Sequence, residues 1–435
     1  MTGSLSTWVT SGRALLGSRF LQQVTGTLVA RLAIVALGLV GSVIIARSLG
    51  PSGRGEYAVA VAVSATAVQI GNLGLHTSSS WAASQRPELV GKLLANGVVW
   101  SFVVGCALGV AVWMVALAFP AVLPVPQDLL GLALVSVPFG LAYLVVANLL
   151  LGLQKVRNYN TLELSNRALS VAAIGALVAV GVASPLSTYG AVVAATLLST
   201  VGGAAWIARR RRGVRPDRRV LIEFGGYGLR AYVAALFTFL VLRIDLLLVQ
   251  YSLGSLEAGL YSIAVSLADV LYLLPVVVST LLFPRLSAQS DRRVVWHEAR
   301  RAVIAILALT SLLGLVAVTL GGPLITLLYG DAFSPATPAF QWLVPAVILL
   351  SAHTVLMHYY YAVGAPAVTI YAPLTGAALN VVLNLVLIPV FGIVGASLAS
   401  CGAYAAMLIL SWWGFARARP HIESIAGRGA RPQRG

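Results

Sequence analysis

Apolar stretches of about 20 residues recur along the whole chain and are separated by short polar segments. The hydrocarbon core of a bilayer is about 30 Å thick, and an α-helix rises about 1.5 Å per residue, so each stretch is long enough to cross a membrane. Only 10% of the 435 residues are charged, whereas about a quarter are charged in soluble domains. The sequence therefore predicts an all-α polytopic membrane protein.

We expect about twelve membrane-spanning helices, and residues 1–23 are predicted to be a cytoplasmic segment without a removable signal peptide. The predicted spans are Val24–Ala46, Tyr57–Thr77, Leu93–Phe119, Leu129–Leu151, Leu162–Val182, Tyr189–Ala208, Gly225–Tyr251, Leu256–Phe283, Ala302–Leu320, Phe340–Ala362, Ala367–Val390 and Ile393–Phe415.

Basic residues are distributed unevenly between the two sides of this arrangement. If both termini are cytoplasmic, the cytoplasmic segments hold 23 of the 29 Lys and Arg residues, and the outward loops hold only Arg47 and Arg54. This asymmetry follows the positive-inside rule, so the net charge of +16 indicates membrane topology and not nucleic-acid binding. We therefore predict a multi-pass membrane protein with both termini in the cytoplasm.

The two halves of the chain resemble each other. At an offset of 204 residues, Ser48-Leu49-Gly50, Gly55 and Tyr57 match Ser252-Leu253-Gly254, Gly259 and Tyr261. Six helices per half is an even number, so the repeats are parallel and predict two similar lobes. We divide the chain into a cytoplasmic segment, an N-lobe, a basic linker, a C-lobe and a basic cytoplasmic tail, at 1–23, 24–208, 209–224, 225–415 and 416–435.

Ionisable side chains inside membrane helices require a partner, a water-filled cavity or a route to the interface. Arg31 lies about seven residues from the inner end of the first span and has no acidic residue on its helix. Its position fits either a cationic cavity that binds an anionic substrate or a side chain that reaches the inner interface. Arg230 lies near the inner end of the seventh span, where it can contact a pyrophosphate or anchor the helix.

Two further groups of charges lie within the spans. Arg243 and Asp245 are on the seventh span and Asp269 is on the eighth, so Arg243 can pair with either acid. Such a pair is either structural or responsive to protons or ions when substrate phosphate competes for Arg243. Glu163 and Arg167 are four residues apart, the favourable helical spacing for a structural ion pair. Arg167 is also a candidate for the cationic substrate-binding cavity, and Glu163 a candidate for ion coupling. The two cysteines and five histidines show no ligand spacing, so neither a disulfide nor a metal site is predicted.

Several stretches resemble the polysaccharide repeat-unit flippases, of O-antigen and exopolysaccharide type, in the multidrug/oligosaccharidyl-lipid/polysaccharide exporter superfamily. These stretches are Ala46-Arg47-Ser48-Leu49-Gly50-Pro51, Arg243-Ile244-Asp245, Gly259-Leu260-Tyr261, Phe283–Ser287, Leu328–Phe333 and Asn380–Ser397. The resemblance implies a V-shaped pair of six-helix lobes, alternating access and a cationic central cavity. It also implies an undecaprenyl-pyrophosphate-linked oligosaccharide as substrate and a bacterial inner membrane as the location. By the same resemblance, Arg31 occupies a helix 1 position where related flippases place cavity cations, and Arg243 and Asp245 fall in the helix 7 motif.

The function expected from this resemblance is translocation of the lipid-linked oligosaccharide from the cytoplasmic to the outer leaflet. Membrane lipids, a polysaccharide polymerase and glycosyltransferases are the expected partners, and no cofactor is predicted. The chain has no phosphate-binding Gly-Lys loop, so ATP is not its predicted energy source. A gradient of H⁺ or Na⁺ is one source that fits.

Two alternatives remain open at this point. A multidrug or cation antiporter of the same superfamily would share the architecture, but such exporters usually place an acidic residue in the N-lobe, where this chain has Arg31. A membrane glycan polymerase or ligase generally needs a sizeable outward loop. The longest such connection, 321–339, has one acid, Asp331, and no histidine, which leaves little for acid–base chemistry.

Overall fold

The fold is known from a computed structural model. It describes the backbone of residues 5–120, 124–210, 214–225 and 229–429, and the side chains of residues 30–120, 124–210, 214–223, 229 and 232–418. The helices of these segments are α1 (Leu5–Asn72), α2 (Leu75–Gln85), α3 (Val90–Ala118), α4 (Gln127–Val135), α5 (Val137–Gly152), α6 (Val156–Ala179), α7 (Pro185–Arg210), α8 (Arg218–Gly225), α9 (Leu229–Leu253), α10 (Ser255–Ala288), α11 (Arg292–Tyr329), α12 (Ala336–Ala362), α13 (Val368–Phe391) and α14 (Ile393–Gly429).

Within the described residues, eleven segments are long and apolar enough to span a membrane. The first, Ala30–Asn72, has 43 residues, which at 1.5 Å per residue gives about 65 Å, twice the thickness of a bilayer core. Gly50 interrupts it with a φ of 67° and a ψ of −179°, so α1 bends there and crosses twice. The described part of the chain therefore makes twelve crossings, and the predicted polytopic all-α fold is confirmed.

The ninth predicted span, Ala302–Leu320, lies within a longer helix, Arg292–Tyr329, and two other predicted spans contain breaks that were not expected. The second was expected to run to Thr77, but α1 ends at Asn72 because Leu73 and Gly74 both have positive φ angles and turn the chain into α2. The fourth consists of two helices, α4 and α5, which meet at Ser136 because Pro138 lies in the first turn of α5 and lacks the N–H that would continue the ladder.

The two ends of the bundle are packed differently. We call the end that carries Arg209 and Arg210 the linker face and the other end, at which α1 bends, the opposite face. At the linker face each lobe has its own buried core, one containing Leu93, Val146 and Ile207 and the other containing Trp296 and Leu356. At the opposite face one buried core includes residues of both lobes, among them Ala46, Val59, Tyr261, Phe333 and Phe340. The lobes therefore join at the opposite face and have separate cores at the linker face, which gives the V shape.

The start of the predicted linker is attached to the N-lobe by polar contacts. Lys92 Nζ donates to Asp217 Oδ2 at 2.7 Å, and Asn96 exchanges two hydrogen bonds of 2.8 Å with the backbone of Asp217. Six residues after Asp217, Glu223 on α8 pairs with Arg86 at 2.9 Å. Because α8 directly precedes α9 in the chain, these contacts tie the first helix of the C-lobe to the N-lobe at the linker face.

The Lys92–Asp217 contact predicts a pH-dependent release of the linker. The hydrogen bond from Lys92 lowers the pKa of Asp217 below its ordinary value of 3.8, so the contact is complete above that pH and is lost as the pH falls through the lowered pKa. A spin label on Val214→Cys should therefore keep its mobility from pH 7 to about pH 4 and become more mobile below that. An Asp217→Asn variant should be mobile throughout, and a parent spectrum that is as mobile as that of Asp217→Asn at pH 7 would contradict the prediction.

Candidate functional site

The helices that meet between the lobes carry a half-exposed ion pair deep in the bundle. Arg243 on α9 donates from Nη2 to Asp269 Oδ2 on α10 at 3.0 Å, and the two side chains are 41% and 45% exposed. A charged pair so far from both ends of its helices would be costly in contact with lipid tails. We therefore place both side chains at a water-filled space between the lobes. Of the two partners predicted for Arg243, the structure forms the pair with Asp269.

Asp245 has a different environment, because it points into the C-lobe. It is only 3% exposed, and its Oδ2 accepts a hydrogen bond of 2.5 Å from the hydroxyl of Tyr261 and one of 3.3 Å from Ser400. Its Oδ1 accepts from the backbone N–H of Leu246 at 2.8 Å. These donors compensate for the burial of the carboxylate and fix its position between α9, α10 and α14.

Both carboxylates line one small cavity of the C-lobe. Its volume is about 30 Å³, enough for about one water molecule, and Tyr272 and Tyr404 also line it. A proton or a small cation there would touch Asp245 and Asp269 together, and it would compete with Arg243 for Asp269. Among the described residues no cluster of three His, Cys, Asp or Glu side chains has the spacing of a metal site.

The predicted charges of the N-lobe form a second group. Tyr143 on α5 donates to Glu163 Oε1 at 2.7 Å, and Tyr159 interacts electrostatically with both Glu163 and Arg31. The predicted Glu163–Arg167 pair is not among the ion pairs of the described side chains, since the Tyr143 hydroxyl binds the carboxylate. The guanidinium of Arg167 lies over the α1 backbone, 3.9 Å from where a β-carbon at Gly38 would be.

Arg31 is exposed on α1, the N-lobe helix that packs against α9 and α10 of the C-lobe. Arg31 lies on the first crossing of α1, with Tyr159 of α6 as an electrostatic neighbour, whereas Arg243 lies on α9 of the C-lobe. Arg230 lies on α9, but its side chain is outside the described residues. For the predicted tail, 416–435, the structure describes the backbone to residue 429, as part of α14, and the side chains to residue 418.

At the opposite face the two halves of the repeat cross at matching glycines. A β-carbon on Gly55 would lie 1.8 Å from the backbone oxygen of Ser255, and one on Gly259 would lie 1.9 Å from that of Pro51. Pro51 and Ser255 are separated by the same 204 residues as Gly55 and Gly259, so the contact is symmetric. We call this crossing the glycine gate, because only residues without a side chain allow the two backbones to approach so closely.

Two arginines beside the glycine gate connect the lobes, and sequence reasoning had assigned both to an outward loop. Arg47 donates to the backbone oxygens of Leu328 and Leu327 at 2.8 and 2.6 Å, the last carbonyls of α11. Arg54 is only 7% exposed and donates across the lobe boundary to the hydroxyl of Ser262. The flanking glycines, Gly53 and Gly55, were the sequence signal for a close backbone approach at this point.

Near the linker face, a hydrogen bond between described residues connects α9 with α1. Tyr232 on α9 donates to the backbone oxygen of Ile70 on α1 at 2.8 Å. Together with the docked α8, this contact narrows the space between the lobes at that end. The described contacts therefore close the opposite face extensively and the linker face at few points.

Solved structures with this fold are membrane transporters. A multidrug resistance MATE family transporter of the MOP superfamily, in an inward-facing conformation, matches 92% of this chain and 99% of its own with a TM-score of 0.72. The lipid II flippase MurJ, in an inward closed conformation, matches 89% of this chain and 87% of its own with a TM-score of 0.73. Both are 14% identical to this chain, so the likeness establishes the fold alone.

Two curated relatives match parts of the chain. The probable flippase AglR of Haloferax volcanii is 29% identical over 166 residues, which are 36% of this chain and 34% of that protein. The uncharacterized membrane protein MJ1068 of Methanocaldococcus jannaschii is 23% identical over 199 residues, 45% of this chain and 39% of that protein. The matches thus span between a third and two fifths of these relatives. The family model described as polysaccharide biosynthesis protein matches residues 44–338, about two thirds of the chain, and the protein belongs to that family.

Proposed function

We propose that the protein is a flippase that carries a polyprenyl-pyrophosphate-linked oligosaccharide repeat unit from the leaflet at the linker face to the leaflet at the opposite face. The half-exposed Arg243–Asp269 pair carries this proposal, because it offers a guanidinium to an anion in the space between the lobes. Guanidinium stays charged in a low dielectric and binds phosphate oxygens in pairs. Membership of a polysaccharide biosynthesis family supports a glycan as the cargo.

In this mechanism the cationic groups hold the pyrophosphate while the lobes exchange access. Arg31, and Arg230 nearer the linker face, receive the pyrophosphate, and Arg243 then binds it in competition with Asp269. The lipid tail stays in the bilayer and the oligosaccharide occupies the water-filled space. Undecaprenol as the carrier, a bacterial inner membrane with both termini in the cytoplasm, and a polymerase and glycosyltransferases as partners belong to the same proposal.

The C-lobe cavity gives the proposal a means of energy coupling. Cargo phosphate at Arg243 releases Asp269, and the two carboxylates that line the cavity then hold two negative charges close together. A proton or Na⁺ entering there would relieve this repulsion and make cargo binding depend on the ion gradient. The cavity is small enough to select such an ion over an organic cation.

The test is the sidedness of a lipid-linked oligosaccharide in proteoliposomes, read with an externally added glycan-modifying enzyme. Protein-dependent exposure of the glycan, lost in Arg31→Ala, is the expected result. Exposure that is equal in empty liposomes would overturn the proposal. Expulsion of a cationic dye without glycan exposure would instead assign the protein as a multidrug or cation antiporter, a function compatible with the carboxylates of the C-lobe cavity.

A further inference from the structure

Arg54 carries a buried positive charge that no carboxylate neutralises among the described side chains. The ion pairs among the described residues are Arg86–Glu223, Lys92–Asp217 and Arg243–Asp269, and none of them includes Arg54. Arg54 instead contacts three hydroxyls at long distances: its Nε lies 3.2 Å from Ser262, and its Nη2 lies 3.3 Å from Ser42 and 3.4 Å from Ser266. Burial of an unpaired charge is unfavourable, so a role for the charge in another state is needed to explain it.

The surroundings of Arg54 are polar but incompletely bonded. Its guanidinium carbon lies 5.5 Å from the ring centre of Tyr57, which favours a cation without neutralising it. The hydroxyl of Tyr329, a close electrostatic neighbour of Arg54, is buried beside Ser42, so Tyr329 and Arg54 share the Ser42 hydroxyl as a polar neighbour. If the only role of residue 54 were to donate hydrogen bonds to these serine hydroxyls, a neutral amide side chain would be sufficient. The site instead combines an unneutralised cation with hydroxyl groups that it contacts only at 3.2–3.4 Å, as expected of a site for an oxyanion.

The position of Arg54 at the lobe boundary determines when such a site would be accessible. Ser42 belongs to the same lobe as Arg54, whereas Ser262 and Ser266 are on α10 of the other lobe. When the lobes part at the opposite face, Arg54 loses both α10 hydroxyls and becomes exposed to the space between the lobes. Its guanidinium then has free donors and no counter-charge.

We propose that Arg54 is an anion-binding residue that the closed glycine gate hides, and that it takes the pyrophosphate of the cargo as this gate opens. The identity of the anion rests on the proposed function, but the existence of the site does not. A pyrophosphate fits because it offers several acceptor oxygens and more than one charge to a five-donor guanidinium. If the anion binds only the open state, it shifts the population of molecules toward that state and thereby favours opening.

Arg47 provides the matched control for this proposal. It also connects the lobes at the opposite face, but it is exposed and donates to backbone carbonyls at the end of α11, which already carry partial negative charge. Arg47→Gln therefore weakens the closed gate without removing the proposed anion site. Arg54→Gln does both, and Arg54→Lys keeps the charge but not the paired donors.

The experiment measures opening with spin labels at the opposite face, one per lobe, on Val182→Cys and Ser334→Cys. Both positions are exposed, and Cys106→Ala and Cys401→Ala remove the native thiols. Distances are recorded in detergent, with and without inorganic pyrophosphate, and in nanodiscs of phosphatidylglycerol without it. We expect pyrophosphate to increase the long-distance population at least threefold in the parent and in Arg47→Gln, and less than 1.5-fold in Arg54→Gln. Arg54→Lys should respond only at a higher concentration.

An Arg54→Gln response equal to that of the parent would overturn the proposal and leave Arg54 as a contact of the closed gate. No response in the parent, or a response to phosphatidylglycerol alone, would also overturn it. The result is separable from the proposed function, because a pyrophosphate response without glycan flipping supports the site and refutes the flippase. Flipping together with a normal response in Arg54→Gln refutes only the site.

Discussion

Gly259→Ala is expected to hold the protein open at the opposite face. The new β-carbon would lie 1.9 Å from the backbone oxygen of Pro51, so α1 and α10 must separate by more than an ångström. Overpacking of this kind costs about 1–3 kcal/mol, which corresponds to a roughly five- to hundredfold shift from the closed to the open state. The same spin-label pair on Val182→Cys and Ser334→Cys should report longer distances without any ligand.

The repeat makes this prediction more specific. Gly55→Ala should have an effect of similar size, since its β-carbon would lie 1.8 Å from the backbone oxygen of Ser255. Gly175→Ala is the control, because Gly175 is also within a helix and no atom lies within 4 Å of its added β-carbon. Any gain in helix propensity is then common to all three variants. Distances in Gly259→Ala that equal those in Gly175→Ala would refute the glycine gate.

Arg243→Gln is expected to lower the initial rate of glycan exposure in proteoliposomes about ten- to hundredfold. The substitution removes charge-assisted hydrogen bonds to the proposed pyrophosphate, and such bonds contribute about 1.5–3 kcal/mol each. Arg157→Gln is the control, because Arg157 is exposed at the linker face and outside the site. Rates are compared at equal amounts of reconstituted protein.

A double variant separates cargo binding from structural support. Arg243→Gln leaves Asp269 without its partner, which by itself could disturb α9 and α10. In Arg243→Gln/Asp269→Asn no unpaired charge remains, so a purely structural role for the pair predicts restored transport. We expect the double variant to stay inactive, because the guanidinium for the cargo is still missing. Recovery of the parent rate would assign the pair to stability alone.

The architecture of this protein can be predicted from its sequence because the signals are long. Twelve apolar stretches and an offset of 204 residues define two parallel lobes, and the structure has both. The ends of the helices are less predictable. The break after Asn72 depends on a positive φ at Leu73, a conformation that leucine rarely adopts and that hydropathy does not indicate.

The candidate site could be predicted only in part. The depth of Arg243 and Asp269 along neighbouring helices indicated their pairing, and that pair forms. For Glu163 the helical spacing favoured Arg167, but the hydroxyl of Tyr143, from another helix, binds it instead. Arg54 was assigned to an outward loop because its local sequence is polar. Its burial depends on contacts more than 200 residues away, which a hydropathy pattern does not contain.

The core shared by both lobes at the opposite face also affects how the protein is made. Its N-lobe residues, such as Ala46 and Val59, pack against residues as late in the chain as Ala396. During synthesis the first six crossings therefore enter the membrane well before their final partners exist, and Arg54 stays hydrated until then. For most of translation, the N-lobe therefore has an apolar surface whose packing partner in the C-lobe has not yet been synthesised. Its dependence on insertion factors and its exposure to membrane proteases are set by that interval.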